Sequence, residues 1–72
     1  MCGIVAYLGD KQAQAILIEG LKRLEYRGYD SSGIALIDSQ NIQVARSVGR
    51  ISVLEKILED HPLRGTLGIA HT

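Results

Sequence analysis

A single cysteine, Cys2, cannot close a disulfide within a chain of 72 residues, so a reducing compartment, the cytoplasm, is the expected setting. Charge of one sign is missing too. Eight basic side chains balance eight acidic ones, which leaves no field to draw nucleic acid or an anionic surface. No apolar run approaches the roughly 18 residues of a membrane span, and the first residues have neither the basic region nor the small-residue cleavage site of a signal peptide. Staples are also absent. Below about 70–80 residues a single core rarely supplies more than roughly 3–5 kcal/mol without them.

What is present is core material, with hydrophobic residues at 46%. Three segments read as strands that are apolar on both faces: Ile4-Val5-Ala6-Tyr7-Leu8, Gly33-Ile34-Ala35-Leu36-Ile37 and Leu67-Gly68-Ile69-Ala70. Such strands belong in the middle of a sandwich, covered on both sides. So few residues cannot cover them, and the chain is expected to be the N-terminal piece of a larger domain.

In chain order, Gly9-Asp10 makes a turn, with Asp10 as the expected cap of a helix from Lys11 to about Tyr26. Its apolar residues Ala13, Ile16, Leu17, Leu21 and Leu24 share one face. Gly20 lies on that face, where its cost of about 1 kcal/mol against Ala points to close approach of a neighbouring backbone. Glu19 and Arg23 are spaced to pair on the wet side. Lys22, Arg23 and Arg27 gather where the helix ends, and cations there complement its dipole. Gly33–Asp38 and Ile42–Val48 flank the polar Ser39-Gln40-Asn41 and read as a β-hairpin. On its second strand Ile42, Val44 and Val48 share one face, interrupted by Arg46, and Gln43, Ala45 and Ser47 share the other. A capping box at Ser52-Val53-Leu54-Glu55 opens a second helix that runs to Asp60 and is stopped by Pro62, with Val53, Leu54, Ile57 and Leu58 as its apolar set. His61 reads as a helix-end residue and His71 as packing on the last strand. Neither has a second ligand at metal spacing, so no metal site and no cofactor are expected.

Two stretches carry chemistry. Removal of Met1 would leave Cys2 with a thiol nucleophile and a free α-amine able to act as its base, an accepted variant of the nucleophile–base pair. Against this stands the plain alternative that a lone Cys is a small buried hydrophobe. The second stretch is Tyr26-Arg27-Gly28-Tyr29-Asp30-Ser31-Ser32-Gly33. A helix end and a turn account for its glycines and small polar residues. Arg27 between two tyrosines also suits recognition of a carboxylate or support of a catalytic residue.

Taken with Gly68-Ile69-Ala70-His71-Thr72 at the end of the chain, the Cys2-Gly3-Ile4-Val5 start and the Tyr26–Ala35 loop resemble one family across all 72 residues. It is the class II glutamine amidotransferases, in the branch of the isomerising glutamine–fructose-6-phosphate aminotransferases. The resemblance implies an α+β fold, the N-terminal part of the four-layer αββα sandwich of N-terminal-nucleophile hydrolases with antiparallel sheets. Residues 1–72 would then be an incomplete amidotransferase domain. It implies that Cys2 attacks glutamine, that Arg27 sits beside the thiol, and that ammonia passes to fructose 6-phosphate in a separate isomerase domain of an oligomeric enzyme. The family's glutamine-gripping arginine, oxyanion-hole donors and amine-holding aspartate fall beyond Thr72, so the piece alone is expected to be inactive. Phosphoribosyl diphosphate or aspartate as the acceptor, or a non-catalytic module of the same fold, are the alternatives.

Overall fold

The computed structural model describes residues 3–25 and 31–72. Its elements run β1 (Ile4–Leu8), α1 (Ala13–Leu24), β2 (Ser31–Asp38), β3 (Asn41–Val48), α2 (Ile51–Asp60) and β4 (Leu67–His71). All strand pairs are antiparallel, in the order β1-β4-β2-β3. The last strand thus inserts between the first two, and the β2–β3 hairpin completes the sheet. Its turn places Ser39 at φ 58, the positive φ that tight hairpin turns require.

Because side chains alternate along a strand, the register divides the sheet into two faces. One carries the rows Val5-Ala70-Ile34-Ala45 and Tyr7-Gly68-Leu36-Gln43. Both helices pack here, and the core comprises Ala13, Leu17, Ile18 and Leu21 of α1, Ile51, Leu54 and Leu58 of α2, and Ile34, Leu36 and Ala70 of the sheet. The other face carries the rows Ile4-His71-Gly33-Arg46, Ala6-Ile69-Ala35-Val44 and Leu8-Leu67-Ile37-Ile42, with the pair Ser31-Val48 at its end. Nothing among the described residues covers it. Ile4 is 78% exposed, Ile42 68% and Ile69 55%, whereas Leu17, Leu36 and Leu54 are at 0%.

The two helices begin differently from the sequence expectation. Helix α1 starts at Ala13, with Gln12 rather than Asp10 in the cap position and no side-chain cap hydrogen bond. The Ala13 amide is instead satisfied by the Gly65 carbonyl at 2.8 Å, and the Gln12 Oε1 accepts from the Gly65 amide at 3.0 Å. Helix α2 starts at Ile51 with Arg50 as its cap residue, so Ser52 lies inside the helix and the expected capping box does not form. Its first amide, that of Ile51, donates to the Glu25 carboxylate at 2.9 Å, which brings negative charge to the positive end of the helix. At the other end His61 is the cap residue, as expected, its amide donating to the Ile57 carbonyl at 2.9 Å.

Gly20 packs against a side chain rather than a backbone. A Cβ there would come within 2.8 and 2.9 Å of the two Val5 methyl groups. In α2, Val53 and Ile57 are exposed while Ile51 is buried, so the buried face is rotated from the expected set toward Ile51, Leu54 and Leu58. The ion pairs between described side chains link helices or their ends: Lys22 to Glu55 at 2.9 Å and Arg50 to Glu25 at 3.9 Å.

The connection from α2 to β4 is held by glutamine amides. The Leu63 amide donates to Gln14 Oε1 at 2.6 Å, and Gln43 both accepts from the Arg64 amide at 3.3 Å and donates to the Arg64 carbonyl at 3.1 Å. These bonds fix where β4 enters the sheet.

Candidate functional site

Cys2 and Arg27, the nucleophile and supporting residue expected from the sequence, lie outside the described residues. The structure does describe Gly3, the residue that follows Cys2. Gly3, bonded to Cys2, has its carbonyl held by the Thr72 amide at 3.0 Å, which continues the β1–β4 ladder past Ile4 and His71. The start of β1 and the end of β4 therefore meet at one end of the sheet.

At that end a group of polar side chains converges that the sequence treated separately. His71 and Arg46 flank Gly33 in one row, one on β4 and one on β3, with the Ser31–Val48 pair beyond it on the same face. Gly33 makes their approach possible: a Cβ on it would stand 3.0 Å from His71 Nε2 and 3.2 Å from Arg46 Cγ. Beside them Ser31, Ser32, Arg46, Ser47, Val48 and His71 line a cavity of about 510 Å³. Ser32 is only 2% exposed and its hydroxyl has no hydrogen-bond partner among the described residues, a state that costs about 1–3 kcal/mol in a closed interior. No carboxylate among the described residues pairs with Arg46 or His71.

The Arg46 guanidinium and the His71 imidazole, on the open face with no anion among the described residues beside them, form a donor pair suited to an anion, while Ser32 and Ser47 alternate onto the helix-covered face. The Lys22 ammonium is held above its usual range by its hydrogen bond to Glu55, partly offset by desolvation, on the exposed side of the helix pair. No group of three or more His, Cys, Asp or Glu side chains that could hold a metal ion comes together among the described residues.

Sequence reasoning read Arg46 as an interruption of an apolar strand face and His71 as packing. The usable signal was the interruption itself, since a cation in the series Ile42, Val44, Arg46, Val48 marks where that face changes character. Its partner could not be read, because the β2–β4 register is non-local.

Comparison with known proteins gives these features a context. No protein-family model matches the chain. Among curated proteins, it is 57% identical over 72 residues to a protein of Caldanaerobacter subterraneus subsp. tengcongensis named glutamine–fructose-6-phosphate aminotransferase (isomerizing). Proteins of the same name from Bacteroides thetaiotaomicron and Clostridium acetobutylicum are 56% identical over 73 residues and 53% over 72. The match falls on the N-terminal 12% of these aminotransferases. The whole of the chain is matched in each case, and it spans 12% of the length of each aminotransferase. The α+β architecture with an antiparallel sheet agrees with a piece of the fold that the sequence resemblance implies.

Proposed function

We propose that this chain is the N-terminal part of the glutamine-hydrolysing domain of an isomerising glutamine–fructose-6-phosphate aminotransferase, acting in the cytoplasm as part of an oligomeric parent protein. The observation that carries the reading is the match of all 72 residues, at 53–57% identity, to aminotransferases of that name. The sheet supports it as well. One face is covered by helices and the other is apolar and open, as the inner layer of an αββα sandwich should be before its second sheet is added.

In this reading Met1 is removed and the Cys2 thiol attacks the side-chain carbonyl carbon of glutamine. The S–H proton passes to the Cys2 α-amine as the S–C bond forms, and the resulting tetrahedral intermediate carries its negative charge on the former carbonyl oxygen. The amine returns the proton to the departing nitrogen, the C–N bond breaks, and ammonia and a γ-glutamyl thioester remain. Water then adds to the thioester with the amine as base, and collapse releases glutamate and restores the thiol. Ammonia goes on to condense with the C2 carbonyl of fructose 6-phosphate, whose oxygen leaves as water, and transfer of a hydrogen from C1 to C2 gives glucosamine 6-phosphate. While Met1 is attached the nitrogen of Cys2 is an amide and cannot serve as base. Arg27, beside the thiol, favours its thiolate form.

An electrophilic glutamine analogue tests the reading on the complete parent protein. It should add a single adduct at Cys2, none in Cys2→Ser, and abolish glutamate release. A fully processed Cys2 that stays unmodified would point to a non-catalytic module. Amination of phosphoribosyl diphosphate or aspartate, with fructose 6-phosphate inert, would reassign the acceptor. The 72 residues alone should release no glutamate above the Cys2→Ser background, because a lost oxyanion donor already costs on the order of 10²–10³ in rate and the whole substrate pocket lies elsewhere.

A further inference from the structure

The open face of the sheet is apolar except at one end, and that end makes a demand on whatever covers it. We propose that an Asp or Glu side chain from the part of the parent chain that follows Thr72 docks between Arg46 and His71 over Gly33, forming an ion pair between the two layers. The inference rests on the reading that the chain continues into a longer aminotransferase; the 72 residues span 12% of the relatives' length, so most of such a protein is available to supply the group.

Ile4, Leu8, Leu67, Ile69, Ile37, Ile42 and Val44 lie on one face and are exposed. An apolar patch of this kind marks a surface that is covered in the working protein. The same cover takes the row Ile4-His71-Gly33-Arg46 out of water. A guanidinium cannot shed its proton there, and burying it unpaired costs several kcal/mol. Although β3 is an edge strand and a long side chain on it can reach past the edge to water, the Arg46 stem leans the other way. Its Cγ stands over Gly33, toward the middle of the sheet.

No acidic residue occurs in the paired rows of this face. The described residues of a second copy laid against it through this face would therefore bring a cation and no anion, which argues against self-association through this surface. A carboxylate from the covering layer accepts from both Arg46 and His71, and in doing so pins the register of that layer, since a slip by one residue would leave the charges unpaired.

The test uses the complete parent protein and follows amide hydrogen exchange in β2 and β4. Arg46→Met keeps the stem and removes the charge, stranding the carboxylate; exchange should accelerate on the order of 10²–10³-fold, with Arg46→Lys retaining most of the protection. Each Asp and Glu beyond Thr72 is then neutralised, to Asn or Gln, in the Arg46→Met background. One such change should restore protection to within about tenfold of wild type, and should restore soluble folded protein if Arg46→Met alone does not fold. If no position restores it, or if Arg46→Met exchanges like wild type, the proposal is wrong. Protection that rises with sodium acetate, and not with equimolar sodium chloride, only while Arg46 is present would also overturn it, by showing that the site takes a free carboxylate. None of these outcomes bears on whether the glutamine analogue labels Cys2 in the wild-type protein, so the two readings fail separately.

Discussion

Along β4 the small residues Gly68 and Ala70 are buried, and the larger Leu67 and Ile69 are exposed. The same inversion runs through β3, where Ala45 packs against the core and Ile42, Val44 and Val48 face out. The difference between the two faces is one of what fills the layer. On the covered face the helices bring the bulk, with Leu17 and Leu21 from α1 and Leu54 and Leu58 from α2, so the sheet contributes small side chains beneath them. The open face carries bulk of its own. Sheets pack face to face about 10 Å apart and fill that space with large side chains from both, and this face is furnished for such a neighbour.

The comparison can be broken at its strongest point by paired truncations in the complete parent protein. Leu54→Ala removes a fully buried side chain from the covered face and should cost about 2–5 kcal/mol in the stability of this domain, read from hydrogen exchange of the slowest β2 amides. Ile69→Ala, on the face left open here, should fall in the same range. A cost within about 0.5 kcal/mol, as for an ordinary surface substitution, would mean that the open face stays open.

Next in size is Gly20→Ala. In an exposed helix this change stabilises by roughly 1 kcal/mol. Here the new methyl meets both γ-carbons of Val5, a stiff β-branched side chain, so overpacking should win and destabilise by about 1–3 kcal/mol. Val5→Ala in the same chain should relieve the clash, which thermal unfolding of the double variant would show. Glu25→Ala leaves the first amide of α2 without its carboxylate and should cost about 1 kcal/mol, in the range of a lost helix cap. The smallest effect concerns Lys22. Its folded-state pKa is raised, so the Glu55 contact contributes fully below the unfolded value of a lysine, near 10.5, and fades as pH rises through the higher folded value. Lys22→Met should therefore narrow its stability difference from wild type only in strongly alkaline solution, as a pH series of melting curves would record.

The local elements were legible in the sequence and the non-local ones were not. Strand β1 falls at Ile4–Leu8 as its apolar run indicates, and the hairpin around Ser39 follows from a polar break between two β-rich runs. The helix starts were misread because their satisfying groups come from far along the chain: Gly65 for Ala13 and Glu25 for Ile51. Ile18 was left off the apolar face of α1 because a single helical stripe assumes one neighbour, and α1 packs on β1 and β4 together. Insertion of β4 between β1 and β2 has no signal in any one segment, and it is what sets His71 beside Gly33 and Arg46. Cys2 and Arg27 were singled out by residue type and motif, and both lie outside the described residues.

The contrast between the two faces is tested most directly by hydroxyl-radical footprinting of the complete parent protein. If the open face is an interior surface, Ile42, Val44, Leu67 and Ile69 should be protected to the same degree as Leu17 and Leu54. Oxidation of those four residues at the rate of exposed side chains, with Leu17 and Leu54 protected, would contradict it.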